Sequence, residues 1–129
     1  MSLERGAPVN EPAGIAVVER LFRSGRSLDD YAACFAEDAV YRFGNAPPIR
    51  GRAAIREAAA GFRQRVRGVR HAMQGMWESH NTVVCEMEMT YTRLDGGEVT
   101  VLCCDVFRVD GDTIQEMRVF VDATPVFAA

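Results

Sequence analysis

What the chain has little of narrows its chemistry first. It carries two histidines, His71 and His80, and four cysteines, Cys34, Cys85, Cys103 and Cys104, in 129 residues. No two cysteines stand at C-x-x-C spacing and the histidines are not at finger spacing, so no metal site and no metal cofactor are expected. Cys103 and Cys104 are neighbours in a predicted strand, so their side chains point to opposite faces. The thiols read as small, reduced, buried apolar residues, which fits a reducing cytoplasm. No apolar run approaches the length of a membrane span, and the first residues lack the basic-then-apolar pattern of an export signal. No membrane partner is expected. The formal net charge is −3 and the isoelectric point about 5.4, which argues against a generic nucleic-acid partner. Lysine is missing altogether; all fifteen basic residues are arginines.

What is present is enough for one domain. A hydrophobic content of 48% supports a core without staples. Residues 1–10 are punctuated by Gly and Pro and read as a loose tail; 11–129 read as a single domain. The strongest pattern runs from Asn81 to Asp122. Three β-rich runs are separated by Asp95-Gly96-Gly97 and Asp110-Gly111-Asp112, the signature of an antiparallel meander. Glu86, Glu88 and Asp105 sit inside these runs, so each must face either solvent or a polar cavity.

The N-terminal half reads as helices. Asn10 is a candidate cap, and Ile15, Val18, Leu21 and Phe22 recur at helical spacing up to Gly25. Ser27-Leu-Asp-Asp30 resembles a capping box, and the helix after it is expected to bury Leu28, Tyr31, Cys34 and Phe35. Ala39 to Phe43 is a short β run, and the prolines at 47 and 48 exclude helix and ladder there. A third helix from Gly51 or Arg52 carries the stripe Ile55, Ala58, Ala59 and Phe62, broken at Gly68. Arg52, Arg56, Arg63 and Arg65, with Arg67 and Arg70 beyond, read as a solvated face, with an anion-binding patch as the alternative. Val69 to Glu78 is a strand turned by Ser79-His-Asn81. Helices grouped before an antiparallel sheet mean an α+β fold.

The pattern resembles the nuclear-transport-factor-2-like superfamily, which includes ketosteroid isomerases, limonene epoxide hydrolases and SnoaL-type polyketide cyclases. The residues that carry the resemblance are Phe35-Ala-Glu-Asp-Ala-Val-Tyr41, Pro47-Pro48 with Gly51-Arg-Ala-Ala-Ile55, Asp105-Val-Phe-Arg-Val-Asp-Gly111, Ile114 and Arg118-Val-Phe-Val-Asp122. It implies a cone: a curved, mixed, mainly antiparallel sheet wrapped around a pocket that three N-terminal helices close. It also implies dimerisation through the convex sheet face.

Aligning Gly96 and Asp105 with the isomerases sets the register, and strand alternation does the rest. Tyr41, Phe43, His71, Met73, Trp77, Glu86, Glu88, Thr90, Cys103, Asp105, Phe107, Met117, Val119 and Val121 then face the pocket. The convex face receives Cys85, Met87, Met89, Tyr91, Leu102, Cys104, Val106 and Phe120, too apolar to be left wet, which favours a homodimer. The isomerase base falls at Phe43 and its helix tyrosine at Val18, so of that set only the acid at Asp105 is kept. Of the epoxide hydrolase set, Tyr41 matches. Phe43, Glu86, Glu88 and Val119 replace the rest. SnoaL-type cyclases use a pocket aspartate base without metal or cofactor.

Asp105 is therefore either a pocket base or a buried acid that serves packing alone. Asp105, Glu88, His71 and Tyr41 are the candidate catalytic set, with the remaining pocket residues as ligand contacts. The expected function is a small cofactor-independent enzyme, of isomerase, cyclase or hydrolase type, acting on a small hydrophobic molecule. The alternative is a non-catalytic binding module for such a molecule or for a protein partner.

Overall fold

The computed structural model describes residues 13–127. The expected tail and the Asn10 cap lie outside this range. Helix α1 (Ala13–Arg23) buries Val17, Val18 and Leu21 on one face. Its first turn is held from the sheet: the Glu78 carboxylate accepts hydrogen bonds from the backbone N–H of Gly14 (3.2 Å) and Ile15 (3.1 Å). A negative group at a helix N-terminus satisfies orphan donors and the helix dipole together. A Cβ at Gly14 would stand 2.6 Å from Glu78 Oε2, so a larger residue there would push the carboxylate off the helix end.

Helix α2 (Leu28–Ala33) starts as its capping sequence predicts, with Ser27 Oγ accepting from the N–H of Asp30 at 3.1 Å. It ends before Phe35, which was expected on it. Phe35 instead opens strand β1 (Phe35–Phe43) and pairs with Ile114, and both side chains are fully buried. A two-residue strand β2 (Ile49–Arg50) pairs with β1 after the proline loop. Helix α3 (Arg52–Arg63) ends before Gly68, which lies at an irregularity in strand β3 (Val66–Ser79) rather than at a helix end. Strands β4 (Thr82–Arg93), β5 (Glu98–Asp110) and β6 (Thr113–Val121) complete the meander, followed by a short helix α4 (Thr124–Phe127).

The six strands run in the order β2-β1-β6-β5-β4-β3. The β1–β6 pair is parallel and the others are antiparallel. The β3–β4 hairpin turns on His80 and Asn81 (φ 51° and 66°), the two positive φ values of a tight two-residue turn that matches strand twist. The core lies between the concave face and the helices. Val18, Phe35, Ile55, Met87, Phe107 and Ile114 are its deepest members. No helix among the described residues is long and apolar enough to cross a membrane.

One register differs from expectation. In the β4–β5 hairpin Cys85 pairs with Asp105, Met87 with Cys103 and Met89 with Val101. Directly paired residues share a face, so Val83, Cys85, Met87, Met89 and Tyr91 point into the core. Glu86, Glu88 and Thr90 point outward. The expected register was one residue out, and a one-residue slip sends every side chain of a strand to the other face. Trp77 also moves outward. A bulge between Met73 and Gly75 inserts one residue and reverses the alternation beyond it, so Trp77 pairs with Val84 on the convex face.

Candidate functional site

Asp105 lies on the inner face of β5, between Cys103 and Phe107 along the strand and between Cys85 and Val119 across it. It is 4% exposed and is the one buried charged residue among those described. Apolar neighbours withhold the hydration that a carboxylate needs, and this desolvation raises its pKa to about 6. Cys103 Sγ donates a hydrogen bond to Asp105 Oδ1 at 3.3 Å, which partly offsets the shift. Burial and the Asp105 charge in turn hold the Cys103 thiol protonated, well above its ordinary range.

A cavity of about 850 Å³ opens above this carboxylate. Asp105, Cys103, Met89, Met117, Val119 and Tyr91 form its buried floor. The α3 stripe of Ile55, Ala58, Ala59 and Phe62 forms one wall. Exposed residues among its lining, Gly25, Arg26, Gly61, Arg65 and Arg67, mark the mouth. Among the described residues Asp105 is the only acidic side chain in the lining.

Three tyrosines line the same space: Tyr31 from α2, Tyr41 from β1 and Tyr91 from β4. Burial raises the pKa of all three, and the nearby Asp105 charge raises each further. Their hydroxyls are therefore protonated donors near neutrality. Helix periodicity put Tyr31 in the core, and the slipped register put Tyr91 on the convex face. Alternation along β4 groups Tyr91 with Met87 and Met89 but leaves open which face that set takes.

His71 lines the cavity near its rim, with its ring 5.1 Å from that of Phe22 in an edge contact. The residue as a whole is exposed, yet desolvation of the ring lowers its pKa, which keeps it neutral near pH 7. No hydrogen bond joins it to Asp105, and the Asp105 charge is not among the causes of its shift. His71 pairs with Met89 and Asp105 with Cys85, two strands and four positions apart. On a flat sheet that offset is about 16 Å between backbones.

The fold of this cone-like sheet, closed by helices, matches known proteins. A profile of the SnoaL-like domain matches residues 16–117. The chain belongs to the SnoaL-like family. Among solved structures, this SnoaL-like chain is similar to an NTF2-like protein of unknown function from Burkholderia pseudomallei, with a TM-score of 0.85 at 14% identity, covering 92% of this chain and 100% of that one. A putative SnoaL-like polyketide cyclase from Jannaschia sp. gives 0.81 at 17% identity, covering 98% and 99%. A LEH-like epoxide hydrolase from M. tuberculosis gives 0.76 at 22% identity, covering 89% and 86%. At these identities the likeness establishes the fold. No curated protein matches the sequence.

Within this SnoaL-like domain the expected site residues divide. Tyr41, Phe43, His71, Cys103, Asp105, Met117 and Val119 line the cavity. Phe107 and Val121 lie on the inner face outside the lining, with Phe107 packed beneath it at full burial. Met73 pairs with Met87 but is half exposed and outside the cavity. Glu88, Glu86, Thr90 and Trp77 lie on the convex face, for the register and bulge reasons given above. The two-carboxylate pair of Asp105 and Glu88 does not form. Among the described residues, no group of three or more His, Cys, Asp or Glu side chains could hold a metal ion.

Proposed function

We propose that this SnoaL-like protein is a small enzyme that needs no cofactor and uses Asp105 as a general base on a mostly apolar, ring-bearing molecule held in the cavity. The observation that carries the reading is a single buried carboxylate on the floor of an open cavity, with its pKa raised to about 6. Such a group is mostly ionised at pH 7 and more basic than an ordinary aspartate, as a proton acceptor should be. Asp105 would take a proton from a carbon beside a carbonyl. The C–H electron pair then enters the new C–C double bond, and the carbonyl oxygen becomes an enolate. Tyr31, Tyr41 or Tyr91 would donate a hydrogen bond to that oxygen. The protonated Asp105 can return its proton to a different carbon, which is an isomerisation. Alternatively the enolate carbon attacks a second carbonyl carbon of the same molecule, the π pair of that carbonyl moves to its oxygen, and the oxygen takes the proton from Asp105, which is an aldol-type cyclisation. The four free cysteines, three of them buried, fit work in a reducing cytoplasm.

A second reading keeps the cavity and drops the chemistry: a binding module for an apolar molecule. The outward placement of Glu88 favours it, because the catalytic set loses one of its two carboxylates. Exchange of α-protons separates the two. Bicyclic ketones incubated with the protein in deuterium oxide, followed by proton NMR, should lose their α-proton signals faster than in buffer. Asp105→Asn should slow that exchange by about 100-fold or more. Ketones that bind without accelerated exchange, or exchange unchanged by the substitution, would favour the binding module.

A further inference from the structure

The mouth of the cavity gathers four arginines in one place. Arg26, Arg63, Arg65 and Arg67 all contribute to its lining, and among the described residues no Asp or Glu joins them there except Asp105 on the floor. This is a local excess of positive charge on a chain of net charge −3. Elsewhere Arg56 pairs with Asp29, Arg70 with Glu98, Arg93 with Asp95 and Arg108 with Glu116, while among the described residues Arg20, Arg42 and Arg52 stand singly and donate to backbone carbonyls. Among the described residues none of the four mouth arginines has an acidic partner.

Two of them are nevertheless fixed in place by groups that leave their charge uncompensated. The Arg63 guanidinium donates to the carbonyls of Arg26 (2.6 Å) and Gly25 (3.2 Å), bridging α3 to the loop between α1 and α2. The Arg65 guanidinium lies over the Phe127 ring, 4.0 Å from its centre. Like charges held together repel, and that arrangement is relieved when an anion enters between them. Below the mouth, Phe22, Phe43, Phe62, Tyr31, Tyr41 and Tyr91 offer aromatic surface.

From this geometry we propose that the ligand is an amphipathic oxyanion: an apolar, ring-bearing body that fills the cavity and an anionic group, carboxylate or sulfonate-like, that stops at the arginine mouth. The proposal rests on the cavity being the ligand site and adds the class of molecule it takes. It also orients that molecule. The anion faces outward, so the end that meets Asp105 is the uncharged one.

Two fluorescent probes with the same aromatic body test it. Anilinonaphthalene sulfonate carries an anion; N-phenylnaphthylamine does not. The anionic probe should bind at least about tenfold more tightly in low salt, and high salt should erase the difference. The double substitution Arg65→Gln with Arg67→Gln removes two exposed charges and leaves the Arg63 bridge intact. It should abolish the margin for the anionic probe and leave the neutral probe within about twofold of wild type. Equal binding of both probes to the wild type, or a margin that survives the double substitution, overturns the anion preference while the apolar cavity stands. Anionic probe bound to the convex face would show itself by that same insensitivity. If neither probe binds, the ligand-site reading falls and this inference with it. Replacing the sulfonate by a carboxylate in the same series then shows which oxyanion the mouth prefers.

Discussion

The charge that Asp105 would need as a base works against stability. The ordinary aspartate value is 3.8 and the folded value about 6, so between these the folded protein holds a proton that the unfolded chain has lost. The favourable contribution is fully present below the lower value and is lost as pH rises through about 6. Above that, the buried charge costs about 3 kcal/mol at most. Asp105→Asn keeps the shape and removes the charge. The variant should unfold at higher urea than wild type near pH 8, and the gap should close near pH 4, where the native carboxyl is neutral. A variant equally destabilised at both pH values would mean that the carboxylate has a favourable partner and is not strained by burial. Any base-catalysed exchange in the wild type should fall as pH drops through about 6, the same transition seen from the other side.

At the scale of the element, β4 is a clean amphipathic strand. Its inner face is Val83, Cys85, Met87, Met89 and Tyr91, and all five are buried. Its outer face carries Glu86 and Glu88, both exposed. Met87→Ala should cost about 2–5 kcal/mol, because a side chain that is 1% exposed leaves a cavity among core atoms. Glu88→Ala should change stability by less than about 0.5 kcal/mol and leave any activity intact. Paired chemical denaturation curves decide this. The reverse order of effects would restore the slipped register, and with it a second carboxylate in the cavity. The hairpin thus links a sequence pattern to the catalytic question: which face β4 shows decides whether Asp105 works alone.

For the whole molecule, the convex side of the sheet is the open question. Trp77, Leu102 and Phe120 stand there at 56%, 75% and 52% exposure. The strand pairings set Val84, Val106 and Cys104 between them, with Glu86 and Glu88 at the same face. Met87 and Met89, expected on this face, are in the core instead. The remaining apolar surface still suits a second copy of the chain, and a stable pairing needs roughly 1,200 Å² or more of total buried area. Light scattering at micromolar concentration should give a dimer, and Leu102→Glu should give a monomer of unchanged helix and strand content. A monomeric wild type under those conditions removes the dimer proposal and leaves the patch without an assigned occupant.

Sequence alone placed the helices, the meander and the fold family, because these depend on local signals. Ser27 caps its helix through its own neighbour Asp30, and the turns need only Gly, Asp or Asn at the right positions. It also singled out Asp105, since a carboxylate inside an apolar run is unusual wherever the strand faces. Which residues meet that carboxylate was decided by tertiary structure. Alternation along β4 offered two faces, and only the pairing of Cys85 with Asp105 showed that Tyr91, not Glu88, shares the cavity. One extra residue in the bulge before Gly75 carried Trp77 out, and no periodicity in β3 announces it. The arginine mouth likewise gathers Arg26 from one loop and Arg63, Arg65 and Arg67 from the region where α3 gives way to β3. Local propensity reads neighbours along the chain, whereas a pocket is built from residues that only packing brings together.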